Sequence, residues 1–145
     1  MQTQELNETD AEGMWGAITN VAGQTITLGY PIALTTTAAS IDGNAAVLPA
    51  ASNLRTFVGI ADEDIADNTS GRYKGYGYAV STYIFATGSS QTNAVDIVLG
   101  PNSASLGVNS TGLLGTIGPV ISMEAIGALI NSPGGWATCF IRAMG

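Results

Sequence analysis

Residues 56–78, TFVGIADEDIADNTSGRYKGYGY, constrain the fold more than any other stretch because the residue pattern changes twice within them. Phe57, Val58 and Ile60 form a short apolar run interrupted by Gly59. An acidic turn follows at Asp62, Glu63, Asp64 and Asp67, and then tyrosines alternate with small or charged residues. That pattern spells strand, connection, strand, with Gly71 as the hinge residue. The same order of parts recurs over residues 120–141, where Ile60 answers to Ile121, Glu63 to Glu124, Ile65 to Ile126 and Gly71 to Gly134.

The rest of the chain carries the same grammar. Ile18, Val21, Ile26 and Leu28 alternate with polar residues, and residues 21–25 read as a break between two short strands. Gly29-Tyr30-Pro31 ends one strand and begins another, and Gly100-Pro101 repeats that break. Asp42-Gly43-Asn44 is a turn signal, and residues 45–51 leave two readings open, the alanines favouring helix and Pro49 a short strand and an irregular loop. Two similar halves, residues 28–87 and 99–141, each reading as several short strands with glycine-rich turns, predict an all-β fold. We expect a small antiparallel β-barrel or sandwich over residues 16–145, with at most one short helix near residues 122–131. Residues 1–15 read as an extended arm: Glu5, Glu8, Asp10 and Glu12 surround Leu6, its one large apolar residue between Met1 and Met14, so it cannot build a core. Met14-Trp15 closes the arm, either as the first core contact, which the usual burial of aromatics favours, or as an anchor for a partner.

Charge and composition exclude several functions. Among 145 residues, eleven acids oppose four bases, Arg55, Arg72, Lys74 and Arg142, too few for a phosphate-binding stripe, so no nucleic-acid partner is expected. No apolar run approaches the roughly 18 residues of a membrane span, so no membrane partner is expected either. The chain has no histidine, the commonest general base and zinc ligand, and its serines and single cysteine have no base at a motif spacing. It reads as a non-enzyme without a cofactor. Cys139, between Trp136 and Phe140, reads as a buried thiol. The Asp62 to Asp67 carboxylates invite a calcium site but lack the glycine and distant glutamate of an EF-hand loop. A solvated turn paired with Arg72 or Lys74 is the better reading. Tyr73, Tyr76 and Tyr78 could form a sugar-binding platform, but period-two spacing puts Tyr76 and Tyr78 on one face and Tyr73 on the other. Met1-Gln-Thr-Gln-Glu lacks the basic start and apolar stretch of a signal peptide, so synthesis in a cytoplasm is the expectation.

The residues Gly29-Tyr30-Pro31-Ile32-Ala33-Leu34, Asp42-Gly43, Leu48-Pro49-Ala50, Phe57 to Ile65 and Gly71-Arg72 resemble the pattern of tailed-bacteriophage capsid decoration proteins, also called head-stabilising or cement proteins. The resemblance covers residues 29–79 and reaches the second half only through the echo at Gly118-Pro119-Val120-Ile121-Ser122-Met123-Glu124. It implies a structural virion protein on the outer capsid surface, made in the host cytoplasm, assembling as a homotrimer and binding the major capsid protein. The arm residues Thr3, Gln4, Leu6, Met14 and Trp15 would make the shell contact. The rival expectation is a carbohydrate- or receptor-binding β module using Tyr73, Tyr76, Tyr78 or Trp136.

Overall fold

The computed structural model describes residues 13–35, 43–50, 53–84, 98–102, 105–108, 120–122 and 135–143. Among them the regular structure is strand throughout except for a 3-10 turn at Leu54–Thr56. The strands are β1 (Met14–Asn20), β2 (Pro31–Leu34), β3 (Ala45–Val47), β4 (Phe57–Ala61), β5 (Ser70–Ile84), β6 (Val98–Asn102), β7 (Ser105–Val108), β8 (Val120–Ser122) and β9 (Gly135–Arg142). They hydrogen-bond in the order β1-β3-β2-β4-β5-β7-β6-β8-β9, and the further pairings of β1 with β5 and β5 with β9 close the sheet twice. The first closure is a five-stranded barrel, and the second is a circuit of the same size that shares β5 with it.

The two circuits are wired alike. β2 pairs antiparallel with β3 and β4, as β6 does with β7 and β8. The β4–β5 pair of the first circuit answers to the β8–β9 pair of the second. Each circuit also holds one parallel contact, β1 with β3 and β5 with β7, which the antiparallel expectation did not include. β5 is therefore the last strand of the first unit and the first strand of the second, which is why it runs for 15 residues.

Each circuit has its own core. Ile18, Ile26, Ile32, Ala46, Ala61 and Ile65 fill the first, with Tyr73 packed against them. Ile60, Ile84, Leu106, Val120, Ala137, Cys139 and Ile141 fill the second. Fully burying an isoleucine contributes about 1.5–3 kcal/mol, so these side chains dominate the stability. Cys139 is fully buried, as its apolar surroundings in the sequence predict.

β5 serves both interiors with one face, Gly71 and Tyr73 towards the first core and Ala79, Thr82 and Ile84 towards the second, while the numbering of that face slips by one residue along the way. In its first part Gly75 and Gly77 are buried. In its last part the buried residues are Thr82 and Ile84, while Val80 and Ser81 between them are both exposed. Opposite β9, Ala79 pairs with Cys139 and Thr82 with Ala137, so β5 carries one extra residue there, a β-bulge. Gly29 sits against this bulge: its φ is +81°, its carbonyl accepts the Tyr83 N–H at 2.9 Å, and a Cβ would collide with the Ser81 carbonyl and the Trp136 ring. A side chain at Gly29 would thus be opposed both by the left-handed backbone and by the approach of a neighbouring strand.

The register corrects several expectations. Ile60 pairs with Lys74 and Ile121 with Phe140, so Lys74 corresponds to Phe140 and Gly71 to Ala137, not to Gly134. Aligning glycine with glycine misses this because the β8 to β9 connection is longer than the β4 to β5 connection. Gly71 is no hinge: it lies within β5, where an added Cβ would press on Ile65. Gly100 and Pro101 do not break the chain but lie inside β6, opposite Gly107 and Leu106. The second short strand expected after residue 25 shrinks to one bridge between Ile26 and Ile65. Ser122 ends β8, and the rest of the expected helix, residues 123–131, lies outside the described residues.

Asn20, fully buried at the end of β1, ties the first barrel shut. Its amide nitrogen donates to the carbonyls of Gln24 and Ile65 at 2.8 Å, and its side-chain oxygen accepts the Ala22 N–H at 2.8 Å. Its backbone N–H donates to the Thr69 carbonyl, and its carbonyl accepts the Asn68 N–H. Thr82, equally buried in the second core, has no partner for its hydroxyl among the described residues. The two side chains therefore predict opposite outcomes in urea unfolding. Asn20→Ala strands buried donors and acceptors and lowers stability by about 3 kcal/mol, whereas Thr82→Val removes an unpaired hydroxyl and leaves stability unchanged or raises it by up to about 1 kcal/mol.

Candidate docking surface

The hydrogen-bonding edge of β5 passes from one partner to another at Tyr76. Met14, the first residue of β1, pairs with Tyr76, and so does Arg142, the last residue of β9. The chain therefore enters the first barrel and leaves the second circuit at the same place on the surface. β1 already begins at Met14, inside the span assigned to the arm. Met14 is 51% exposed and Trp15 53% exposed, so the pair is not a core contact. The physical reason is register: Ile18 and Asn20 are the buried residues of β1, Trp15 falls on the opposite parity, and the pairing shifts between Met14 and Trp15.

Around this junction the outward faces of β1, β5 and β9 carry aromatic rings. Phe140 stands edge-on to Tyr76 at 5.2 Å and to Tyr78 at 5.0 Å. The Lys74 ammonium lies 5.2 Å from the centre of the Trp15 ring and donates to the Tyr78 carbonyl at 2.7 Å. An exposed cation over an aromatic face contributes about 0.5–1 kcal/mol. Trp15 pairs with Lys74 and Tyr78 with Phe140, so the internal repeat places Trp15 and Tyr78 at equivalent positions. Tyr78 is 43% exposed and Val80, beside the bulge, 79%. Tyr73 is directed the other way, onto the first core and against Gly16, which bears out the two-face reading of the three tyrosines and removes Tyr73 from any platform.

A second aromatic group continues the same outward face. Tyr83 pairs with Trp136 across β5 and β9, their rings 5.2 Å apart, and Tyr30 stacks on Tyr83 at 4.7 Å and 6°. Trp136 remains 50% exposed. Burial holds the Tyr30 phenol above its ordinary pKa, and repulsion from an ionised Tyr83 and a hydroxyl hydrogen bond to Tyr83 act in the same direction. Sequence reasoning singled out Trp136 but missed Tyr30, Tyr83 and Phe140. The alternation of Trp136 and Phe140 with the buried Ala137, Cys139 and Ile141 was the available signal.

The acidic turn is built as a brace. Asp64 accepts the Leu28 N–H at 2.7 Å, Asp67 accepts the Gly23 N–H at 2.8 Å, and Glu63 accepts the Arg72 N–H at 2.8 Å. Arg72 also faces Asp62 at 3.4 Å and Glu63 at 3.9 Å, and with the Arg72 side chain in solvent both pairs are of small energetic value. The paired-turn reading holds through Arg72, while Lys74 bonds elsewhere. Each of these carboxylates thus has a protein donor: Asp64 and Asp67 pin the 21–28 segment to the β4–β5 connection, and Asp62 and Glu63 tie that connection to Arg72.

Of the arm residues assigned to shell contact, Met14 and Trp15 lie together at the exposed junction, whereas Thr3, Gln4 and Leu6 lie outside the described residues. No protein-family model and no curated protein matches the chain.

The Tyr30 environment sets a pH dependence. A phenol that binds its proton more tightly when folded adds stability that is fully present below the unfolded pKa, near 10.0, and is lost as pH rises through the higher folded value. Stability measured by urea unfolding should therefore fall as pH is raised above about 10. Tyr30→Phe should flatten that decline.

Proposed function

We propose that this chain is a structural virion protein that binds the outer surface of an icosahedral phage head, contacts the major capsid protein and stabilises the lattice, acting as a homotrimer. The observation that carries the reading is the junction. An acidic leading segment with too little apolar content to fold alone joins a β body at two half-exposed large side chains, Met14 and Trp15. The body adds a surface poor in charge, 10% of residues over the whole chain, and a resemblance of residues 29–79 to capsid decoration proteins.

Mechanically, one arm adds modest affinity, because ordering an extended segment costs conformational entropy. Three arms on one trimer bind as a unit, and effective concentration turns weak contacts into durable ones. Extended backbone pairing on the shell satisfies the arm's donors and acceptors, with side chains such as Leu6 and Trp15 adding selectivity. A ligand that prefers the assembled lattice to its dissociated parts stabilises that lattice by mass action.

The rival reading as a carbohydrate- or receptor-binding module is supported by the exposure of Tyr78 and Trp136, and weakened by the packing of Tyr73 onto the first core. Binding of the isolated protein to a glycan array, without binding to heads, would favour the rival.

Deleting residues 2–13 should leave a body with an unchanged β-sheet circular dichroism spectrum that no longer sediments with empty mature heads. Head binding by the truncated body would remove the assignment. Trp15→Ala in the full chain should weaken head binding about 30-fold, as expected when a central aromatic anchor worth about 2 kcal/mol is truncated.

A further inference from the structure

The geometry points to a resting place for residues 1–12 on the chain's own body: the outward face of β5 and β9, from Tyr78 and Phe140 to Trp136. The inference concerns the free protein and does not depend on the shell reading.

Its first support is the way the chain enters the sheet. β1 runs antiparallel to β5, so tracing the chain backwards from Met14 leads along β5 towards its later residues. That place in the sheet is already taken by β9, whose Arg142 pairs with the same Tyr76. A segment entering at Met14 along that line has to come from outside the sheet, since the inner side is filled by the second core. The outer side there carries Tyr78 and Phe140, then Val80, then Trp136 over Tyr83, with Tyr78, Val80 and Trp136 all strongly exposed. An apolar stripe of this kind calls for an occupant.

Charge and length select the occupant. Lys74 and Arg142, two of the four bases in the chain, flank the entry point. The described acids on the β4–β5 connection are bound to Arg72 and backbone N–H groups elsewhere. Residues 1–12 carry Glu5, Glu8, Asp10 and Glu12 and no base. Extended at about 3.4 Å per residue, the chain from Leu6 to Met14 spans about 27 Å, close to the length of β5 from Tyr76 to Tyr83. Glu12 and Asp10 then lie near Arg142 and Lys74, and Leu6 reaches the exposed Trp136. The short covalent tether supplies an effective concentration in the millimolar range, enough for weak contacts to hold the segment for much of the time.

Trp136 is the reporter, because a segment that merely hangs from Met14 does not reach it. In a Trp15→Phe background Trp136 is the only indole. Deleting residues 2–12, or introducing Leu6→Asp, should raise its acrylamide quenching about two-fold and shift its emission to the red, as loss of a mostly occupied tethered contact requires. Neutralising the segment (E5Q, E8Q, D10N and E12Q together) should move quenching in the same direction, as should high salt. Unchanged quenching in the deletion variant overturns the inference. Protection of Trp136 that fades on dilution assigns the occupant to a second copy and also overturns it. Should the Trp15→Phe chain lose its β-sheet signal, hydroxyl-radical footprinting of Tyr78 and Trp136 in the wild-type and leader-deleted chains gives the same decision. Equal oxidation in the two chains refutes the contact, and higher oxidation after deletion supports it.

Discussion

One strand must be inside two barrels at once, and much of the rest follows from that. Side chains on a strand alternate with a period of two, and β5 turns one and the same face to both interiors, Gly71 and Tyr73 to the first core and Ala79, Thr82 and Ile84 to the second. Along that face the numbering slips by one residue at the bulge between Ala79 and Thr82, which keeps both residues turned to the second core. Bulges weaken a ladder locally because the extra residue is unpaired, and here the neighbouring chain supplies what is missing. The Gly29 carbonyl accepts from Tyr83 just past the bulge, Gly29 lies against the Ser81 carbonyl, and Tyr30 stacks on Tyr83. The Gly29-Tyr30-Pro31 turn of the first barrel thereby braces the start of the second circuit. The two units are coupled by backbone contact as well as by covalent continuity.

The sequence made the repeat legible because what repeats is punctuation and apolar alternation, and both survive divergence. Ile60 and Ile121 do occupy equivalent places, each opposite an outward residue of the next strand. The glycine correspondence failed because loop length is unconstrained where strand register is constrained. Gly71 was misread for a related reason: a glycine between an acidic turn and a strand looks like a hinge, whereas its lack of a side chain admits Ile65 to the core. Pro101 looked like a break because proline donates nothing to a ladder, yet it sits within β6, a strand of 5 residues. No local pattern could show that β5 is shared. That fact depends on pairings between residues far apart in sequence, such as Met14 with Tyr76 and Tyr78 with Phe140.

The candidate surface was legible in part for the same reason. Period two separated Tyr73 from Tyr76 and Tyr78 correctly, because that division needs only the strand's own geometry. The burial of Met14 and Trp15 was misjudged because bulky apolar residues at a domain's first strand usually face inward, and here the register turns Trp15 out. The aromatic group of Tyr30, Tyr83 and Trp136 gathers three distant segments and has no sequence signature of its own. The acidic turn reads like a ligand site in one dimension. In three it is an internal fastening, each carboxylate accepting from a backbone or guanidinium donor.

This division of labour bears on how a charge-poor body can carry an exposed aromatic stripe without sticking to copies of itself. Four acids are spent on the brace, so they contribute little repulsion over the far end of β5, where the rings are. An apolar stripe bordered by bases, with the acids of the described residues fastened in the brace, is a surface on which copies can associate. A tethered acidic segment lying over it would cover the rings and restore negative charge in one step. Its hold must stay weak, since a segment held tightly at home would have to surrender the same contacts before binding anything else. Tethering reconciles these demands: the local concentration keeps the stripe covered while each contact remains weak enough to be exchanged. If the segment also clamps a shell, the difference between its two affinities, and not either alone, sets how strongly the protein binds there.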